Sequence, residues 1–287
     1  MKNNKKYTII ADSTCDLKKI DLTSDKFDFE TTPLTIEVGG VEYVDDESLD
    51  TKELLVKMKH TKQASKTACP NPEAFTAQMR AGNDLIFCIT LSSKLSATYQ
   101  SACLAAETVH AEQPNKKIFI LDSLTASSGM ARILYKLIDL INDDKYNFEE
   151  ITEKLTEIRN KSKIRFLLND LSNLAKSGRM GKIASIITSI IPLKLLCGDN
   201  GAGEIKQYKK VLGFNKALES IAEFPGESLE SEGIENPIFI SHCNNQESAN
   251  FLKKLLESKF GFNNIKTLIM RGVTTLIAND KGLAIAY

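Results

Sequence analysis

The sequence predicts a protein of two α/β domains, residues 1–160 and 161–287, the first a mostly parallel sheet with flanking helices, on three observations. Short apolar runs ending in polar or small residues alternate with longer segments of helical period through the first half of the chain. After Asn160 the sequence shifts toward basic, leucine-rich segments, which places the domain boundary there. The chain is also long enough to bury two cores: it has 287 residues, 42% hydrophobic and 26% charged, the proportions of an ordinary globular protein.

In the first domain, Tyr7–Ala11 is a compact, β-branched run followed at once by the polar turn Asp12–Asp16. The Asp, Ser and Thr of that turn can cap a helix or meet a ligand at the carboxyl end of a strand. Asp84–Leu91 repeats the design and delivers Ser92–Thr98 ahead of an alanine-rich helical stretch, Tyr99–His110. Lys117–Leu121 does so a third time, leading through Asp122, Ser123 and Ser127–Gly129 into the amphipathic pattern Met130–Asn142. In Phe148–Asn160 the apolar positions Ile151, Leu155 and Ile158 fall at helical spacing and close the domain.

In the second domain, Ile164–Leu168 reads as a strand, Asn169–Lys176 as a short helix and Ser177–Gly181 as a glycine-flanked turn. Ile183–Ile191 is almost continuously apolar and is stopped by Pro192. A helix of that kind is either buried on every face or lines something apolar. Asp199–Gly203 has the composition of a hairpin turn, with Glu204–Val211 as its returning strand. Asn215–Glu223 and Glu247–Lys259 are expected as helices, and Pro237–Ser241, Thr267–Met270 and Ala284–Tyr287 as strands. His242, between a strand and a helix, reads as a structural residue at the helix start.

Composition excludes several functions. Lys plus Arg and Asp plus Glu each number 37, so the net charge is zero and no global field exists to hold nucleic acid or an anionic membrane surface. The six cysteines form no CxxC pair and read as buried or semi-buried thiols of a reducing compartment. Thr8–Ala11 is too short for a signal-peptide core or a membrane span, and a cytoplasmic location is expected. The three histidines, His60, His110 and His242, lie in separated segments away from any nucleophile–base pair. There is no GxGxxG after Ile10, no GxxxxGK[ST] and no HExxH. Gly198–Gly203 reads as a hairpin loop rather than a phosphate cradle, and Asp45–Glu47 as a solvated acidic turn rather than a metal site. No catalytic residue, metal or cofactor is assigned.

The most informative feature is the recurrence of hydroxyl clusters after strands, at Asp12–Thr14, at Ser92–Thr98 and around Thr67. Hydroxyls and backbone N–H groups at a strand edge suit a carboxylate or phosphate, because each donates a hydrogen bond without a nearby formal charge. Such groups also cap helices and form turns, and Thr67 precedes a Pro-rich turn where a loop residue is equally at home. Capping alone uses one hydroxyl, however, and Ser92–Tyr99 carries several.

These segments carry a resemblance. Tyr7–Leu17, Thr32–Leu34, Val41–Tyr43 with Asp45, Lys66–Pro72, Leu91–Ala102, Leu121–Ser123 with Gly129, and Leu174–Gly181 follow in the order seen in DegV family proteins, and the likeness runs essentially end to end. The resemblance implies two α/β domains that bind one long-chain fatty acid in a tunnel between them, without turnover of their own. In bacteria with a fatty-acid kinase, such proteins present the carboxylate so that an acyl phosphate forms for phospholipid synthesis.

By that resemblance Thr67 matches the first Thr of a TSQPS-like segment, and Ser92 and Ser93 match the Ser pair before an LSGTY-like segment. Ser96 and Thr98 keep the hydroxyls of that segment, and Arg179 matches the Arg of a GGR segment that faces the head group or an incoming phosphate. Thr67, Ser92, Ser93, Ser96, Thr98 and Arg179 are therefore the expected carboxylate ligands. Ile183, Ile186, Ile187 and Ile190 are the expected tail wall. A tail of about 14 methylenes at roughly 0.8 kcal/mol each contributes about 11 kcal/mol gross on burial, while a stranded carboxylate costs several kcal/mol and demands converging donors.

One departure stands out. Many relatives place a His at the ligand head group in a segment that here runs Gly272–Gly282, and alignment on those glycines puts Ala278 at its position. A competing reading is an enzyme acting on a small acyl or phosphorylated substrate, with Asp12 or Asp122 as base, but neither aspartate has a visible activating partner. A regulatory lipid sensor would share the residues of the carrier.

Overall fold

The computed structural model describes residues 5–180, 193–228, 233 and 236–287. Its first sheet is organised around β1 (Tyr7–Asp12), every residue of which is buried. β1 lies between β2 (Phe27–Thr32) and β6 (Leu85–Thr90), and β7 (Lys117–Asp122) completes an all-parallel sheet of order β2-β1-β6-β7. A parallel strand covered on both faces reads as a continuous apolar run, and for this reason β1 and β6 are the most legible strands in the sequence.

Side chains alternate along these strands, so the two faces build two cores. Ile10, Ile86 and Cys88 meet α2 (Pro72–Ala81) and α3 (Thr98–Glu112) through Phe75, Met79 and Ala102. Ile9, Phe87 and Ile89 meet α4 (Ser128–Asn142) and α5 (Phe148–Lys161) through Met130, Leu134 and Ile151.

A second sheet follows, of order β10-β9-β8-β13-β11-β12, made of β8 (Ile164–Leu167), β9 (Leu193–Asp199), β10 (Ile205–Leu212), β11 (Ile238–His242), β12 (Ile265–Ile269) and β13 (Leu283–Ala286). Its neighbours run antiparallel except β11 and β12, which are joined by α8 (Gln246–Phe260) and pair in parallel. One face is covered by α8 and α7 (Phe214–Glu227), with Leu252 and Ile221 packed on Ile240 and Ile285. The other face receives α4, whose Tyr135 ring lies 5.0 Å from that of Phe239. A helix between two sheets has no solvent side over its first turns, which explains the unbroken burial of Ser128–Leu134.

Residues 17–83, where the sequence suggests no element, hold β2, α2 and a small antiparallel sheet of order β4-β3-β5, built from β3 (Thr35–Val38), β4 (Val41–Val44) and β5 (Lys66–Ala68). Strands of three or four residues with one half-exposed face leave no apolar run to read. Thr67 therefore sits in a strand opposite Ile36, not in a loop. α1 (Thr51–His60) covers this sheet, with α9 (Gly272–Ala278) beside it and α6 (Ser172–Lys176) beyond. The hairpin expected at Asp199–Gly203 joins β9 to β10. The apolar segment with Ile183, Ile186, Ile187 and Ile190 lies outside the described residues. Among the described residues no helix is long and apolar enough to cross a membrane.

Buried charge ties the small sheet to the end of the chain. The N-cap position of α9 is occupied by Arg271, whose side chain has no acceptor. Asp45 caps the helix instead, its Oδ1 accepting from Gly272 N at 2.8 Å and its Oδ2 from Val273 N at 3.0 Å. Asp45 is fully buried, so the expectation of a solvated acidic turn is corrected at this residue. Arg271 donates to the carbonyls of Leu17 at 2.9 Å and Asp45 at 3.0 Å. Asp16 accepts from Arg271 N at 3.0 Å, from Thr274 Oγ1 at 2.6 Å and from Ser127 Oγ at 2.5 Å. Burial pushes the carboxyls of Asp16 and Asp45 above their ordinary value, and these donors oppose it.

Asp12, at the carboxyl end of β1, accepts from Thr14 N at 3.0 Å, Thr14 Oγ1 at 2.5 Å and Leu91 N at 2.6 Å, locking the first strand to the loop after β6. His242 is structural: its Nδ1 accepts from Asn245 N at 3.2 Å, and its Nε2 lies 3.1 Å from Gln246 Oε1 at the start of α8.

Two outcomes follow for stability. A Cβ on Gly272 would stand 2.4 Å from Leu49 Cδ2 and 2.6 Å from Asp45 Oδ1, so Gly272→Ala is expected to lower the urea unfolding free energy by about 1–3 kcal/mol. An unchanged midpoint would mean that α9 is not held against Asp45. Burial also pushes the Asp12 carboxyl up from 3.8 to about 6, against its hydrogen bonds. The folded state thus holds this proton more tightly than the unfolded one, and the resulting stabilisation is full below 3.8 and lost as pH rises through about 6. The stability difference between wild type and Asp12→Asn should therefore shift against wild type by about 2 kcal/mol from pH ~4.5 to pH ~7 in urea titrations. A difference independent of pH would contradict the assignment.

Candidate functional site

Where the carboxyl ends of β1, β6 and β7 face β8 and β13, the chain lines a cavity with about 1010 Å3 of empty space, its open mouth included. Parallel sheets place their ligand-facing loops at this edge. Here the loops after the three strands contribute Thr14, Leu91 and Leu124, while Ile164 and Phe166 of β8, Ala284 of β13 and Ile277 of α9 form the facing wall. The wall is largely aliphatic.

The hydroxyls in that wall are mostly spent on the protein. Thr14 donates to Asp12, and Ser127 and Thr274 donate to Asp16. Buried carboxylates behind the wall therefore draw its O–H groups away from the cavity and leave it apolar. The loop after β7 reaches this arrangement under strain: Leu124 and Ser127, both lining the cavity, have φ of 55°, a region that side chains other than glycine seldom adopt. Ser127 N to the Thr14 carbonyl, at 2.8 Å, and Ser92 N to the Thr125 carbonyl, at 2.8 Å, hold the loop in place.

Of the six expected head-group residues, Thr67, Ser96 and Arg179 come together in the cavity wall. A smaller cleft of about 280 Å3 adjoins at the same place, sharing Thr67, Arg179 and Ile277 with the cavity and adding Lys176 and Asn173. One end of an apolar chamber is thus cationic and hydroxyl-bearing. Arg179 is held there by Nε to the Leu95 carbonyl at 3.2 Å and Nη1 to the Ser177 carbonyl at 2.8 Å. Ser96 Oγ lies 2.9 Å from Thr98 Oγ1, so one of the two hydroxyls donates to the other and the second keeps its proton for another acceptor.

Ser92, Ser93 and Thr98 are not among the residues that line the cavity. Ser92 is fully buried and donates its hydroxyl to the Gly203 carbonyl at 2.7 Å. Ser93 offers its backbone N–H to Asp122 at 3.1 Å and is partly buried. Thr98 is buried at the start of α3. The turn consumes these groups in shaping itself and leaves Ser96 to face inward. Sequence reasoning missed Thr274, Ser127 and Asp16 as a unit; the Asp12–Asp16 turn and Ser127 were visible, but their pairing over a separation of 111 residues was not.

Ala278, the position that the resemblance aligns with a His of many relatives, lines the cavity with a methyl group. Neither Asp12 nor Asp122 is in the wall: Asp12 is fully buried in the bonds above, and Asp122 accepts from the N–H groups of Ser93 and Leu124. All six cysteines are free, and burial pushes the thiols of Cys197 and Cys243 up to about 12, far from a nucleophilic thiolate. Among the described residues no group of three His, Cys, Asp or Glu could hold a metal ion.

Comparison with known proteins agrees with this geometry. The family model for DegV, described as an uncharacterised protein family, matches residues 6–287. A DegV domain-containing protein of Streptococcus gordonii is 31% identical over 282 residues, 98% of each chain. The crystal structure of a DegV family protein from Ruminococcus gnavus, refined with vaccenic acid, superposes with a TM-score of 0.91 at 28% identity, covering 99% of this chain and 100% of that one. The fatty acid kinase B3 protein of Streptococcus pneumoniae, loaded with linoleic acid, superposes with a TM-score of 0.90 at 29% identity, covering 98% of this chain and 99% of that one. A match of this extent, over nearly the whole chain, places the chain in the DegV family.

Proposed function

We propose that this protein binds one long-chain fatty acid and presents its carboxylate to a fatty-acid kinase, which forms the acyl phosphate. The observation that carries the reading is the apolar cavity of about 1010 Å3 with Thr67, Ser96 and Arg179 gathered in its wall. The acyl tail occupies the aliphatic chamber, where each buried methylene contributes roughly 0.8 kcal/mol. The carboxylate lies against Thr67, Ser96 and Arg179, beside the cleft with Lys176, because an anion held away from water needs converging donors and a counter-charge. Ser92, Ser93 and Thr98 act as supports that set the turn carrying Ser96.

The relatives support this reading: the Ruminococcus gnavus structure holds vaccenic acid and the Streptococcus pneumoniae protein, part of a fatty acid kinase, holds linoleic acid. The cavity lies between two α/β domains, 1–160 and 161–287, in this proposal. The protein binds and presents without catalysing, since Asp12 and Asp122, outside the wall, are committed to backbone and hydroxyl donors and the transferred phosphoryl group comes from the partner's substrate. With Ala278 where relatives have His, Arg179 and Lys176 carry the positive charge at the head group.

Mass spectrometry of an organic extract of the purified, denatured protein should find about one acyl chain per polypeptide, directly or after incubation with fatty acid. Finding none would overturn the proposal. Thr67→Val and Arg179→Gln should each weaken fatty-acid binding by about 1–3 kcal/mol, while Ser93→Ala should leave it unchanged. Equal affinity in all three variants would move the head group elsewhere.

A further inference from the structure

Beside Leu124, Thr125 and Asp199 lies a second, partly open chamber with about 640 Å3 of empty space, its mouth included, at the junction of α5, the start of β8 and the β9–β10 hairpin. Among the described residues it shares only those three with the cavity just described. Its lining carries three cations, Arg159, Lys163 and Arg165, against one carboxylate, Asp199.

That carboxylate is committed. Asp199 Oδ1 accepts from Ile164 N at 2.9 Å and from Arg165 Nη1 at 3.1 Å, and its Oδ2 accepts from Gly201 N at 3.0 Å. Asp122, whose carbonyl holds Arg159, uses Oδ1 on the N–H groups of Ser93 and Leu124. Two positive charges, on Arg159 and Lys163, are left without an ionic partner among the described residues.

The guanidinium groups are also rigid. Arg165, 6% exposed, lies 3.9 Å over the Tyr208 ring, and Arg159 is pinned by Nη1 to the Asp122 carbonyl at 3.1 Å. Yet Nε of Arg159 and Nε of Arg165, both buried, have no hydrogen-bond acceptor among the described residues. Fixed guanidinium forks with donors to spare, beside a flexible ammonium, are how proteins meet tetrahedral oxyanions.

We infer that this chamber is a binding site for a phosphate dianion, either free or as a phosphate monoester. The dianion matches the two unpaired charges, and the volume leaves room for a small esterified group beyond the phosphate itself. The inference does not depend on the fatty-acid reading, because Arg159, Lys163 and Arg165 lie outside the first cavity.

Calorimetric titration of the full-length protein with inorganic phosphate and with glycerol phosphate, at constant ionic strength, tests it. Saturable binding of either supports the site, and tighter binding of glycerol phosphate assigns the ligand to an ester rather than the free ion. Arg159→Gln and Lys163→Gln should each weaken that binding at least tenfold while retaining fatty acid as wild type does. Lys163 is exposed, so its replacement keeps the test open if Arg159→Gln does not fold. Absence of saturable binding for both probes, or wild-type affinity in both variants, would overturn the inference.

Discussion

The structure depends on a short helix that cannot stand alone. Seven residues are too few for helical propensity to hold α9, and its N-cap position carries an arginine. It persists because Asp45, drawn from the other end of the chain, caps it and because Asp16 and Arg271 bind it to the first sheet. Everything in this knot is buried and mutually hydrogen-bonded, so losing one partner leaves a charge uncompensated in the interior, a cost of about 3–5 kcal/mol. The faces of α9 then serve two purposes: Leu276 and Val273 close the core of the small sheet, and Ile277 and Ala278 close the cavity.

The same economy of donors makes the chamber apolar. A sequence rich in Ser and Thr at strand ends would ordinarily line a wet, polar site. Here Thr14, Ser127 and Thr274 satisfy Asp12 and Asp16 from the cavity side, turning their hydroxyls inward and their carbon surfaces toward the space. Carboxylates placed behind a wall thus decide the polarity in front of it, a second-layer effect that composition does not reveal. Of the residues expected at the head group, Thr67, Ser96 and Arg179 escape this arrangement and stay in the wall.

Much of the fold was legible because it rests on local pattern. β1 and β6 are covered on both faces and stand out as apolar runs, the helices after them carry their own period, and the β9–β10 turn announces itself by Asn200, Gly201 and Gly203. The small sheet escaped because its strands are short and half-exposed. The site was legible in kind and only partly in detail. Ser92, Ser96 and Thr98 look alike in sequence, and which of them faces the cavity is decided by Gly203, a carbonyl 111 residues away that takes the hydroxyl of Ser92. Asp45 looked solvated because its acidic neighbours are; its burial follows from Gly272 and Val273, which no local pattern connects to it.

The enclosure is unequal on its two sides. Around α9 the wall is bolted by several buried, charge-assisted bonds, whereas the tip of the β9–β10 hairpin, which contributes Gly203 and Glu204, is fastened to the opposite loop through Ser92 Oγ. A neutral hydrogen bond of that sort is worth about 1 kcal/mol, little more than thermal energy. Fluctuations that unlatch the chamber will therefore concentrate at the hairpin rather than at the helix, and the residence time of whatever lies inside is governed by the weaker hinge.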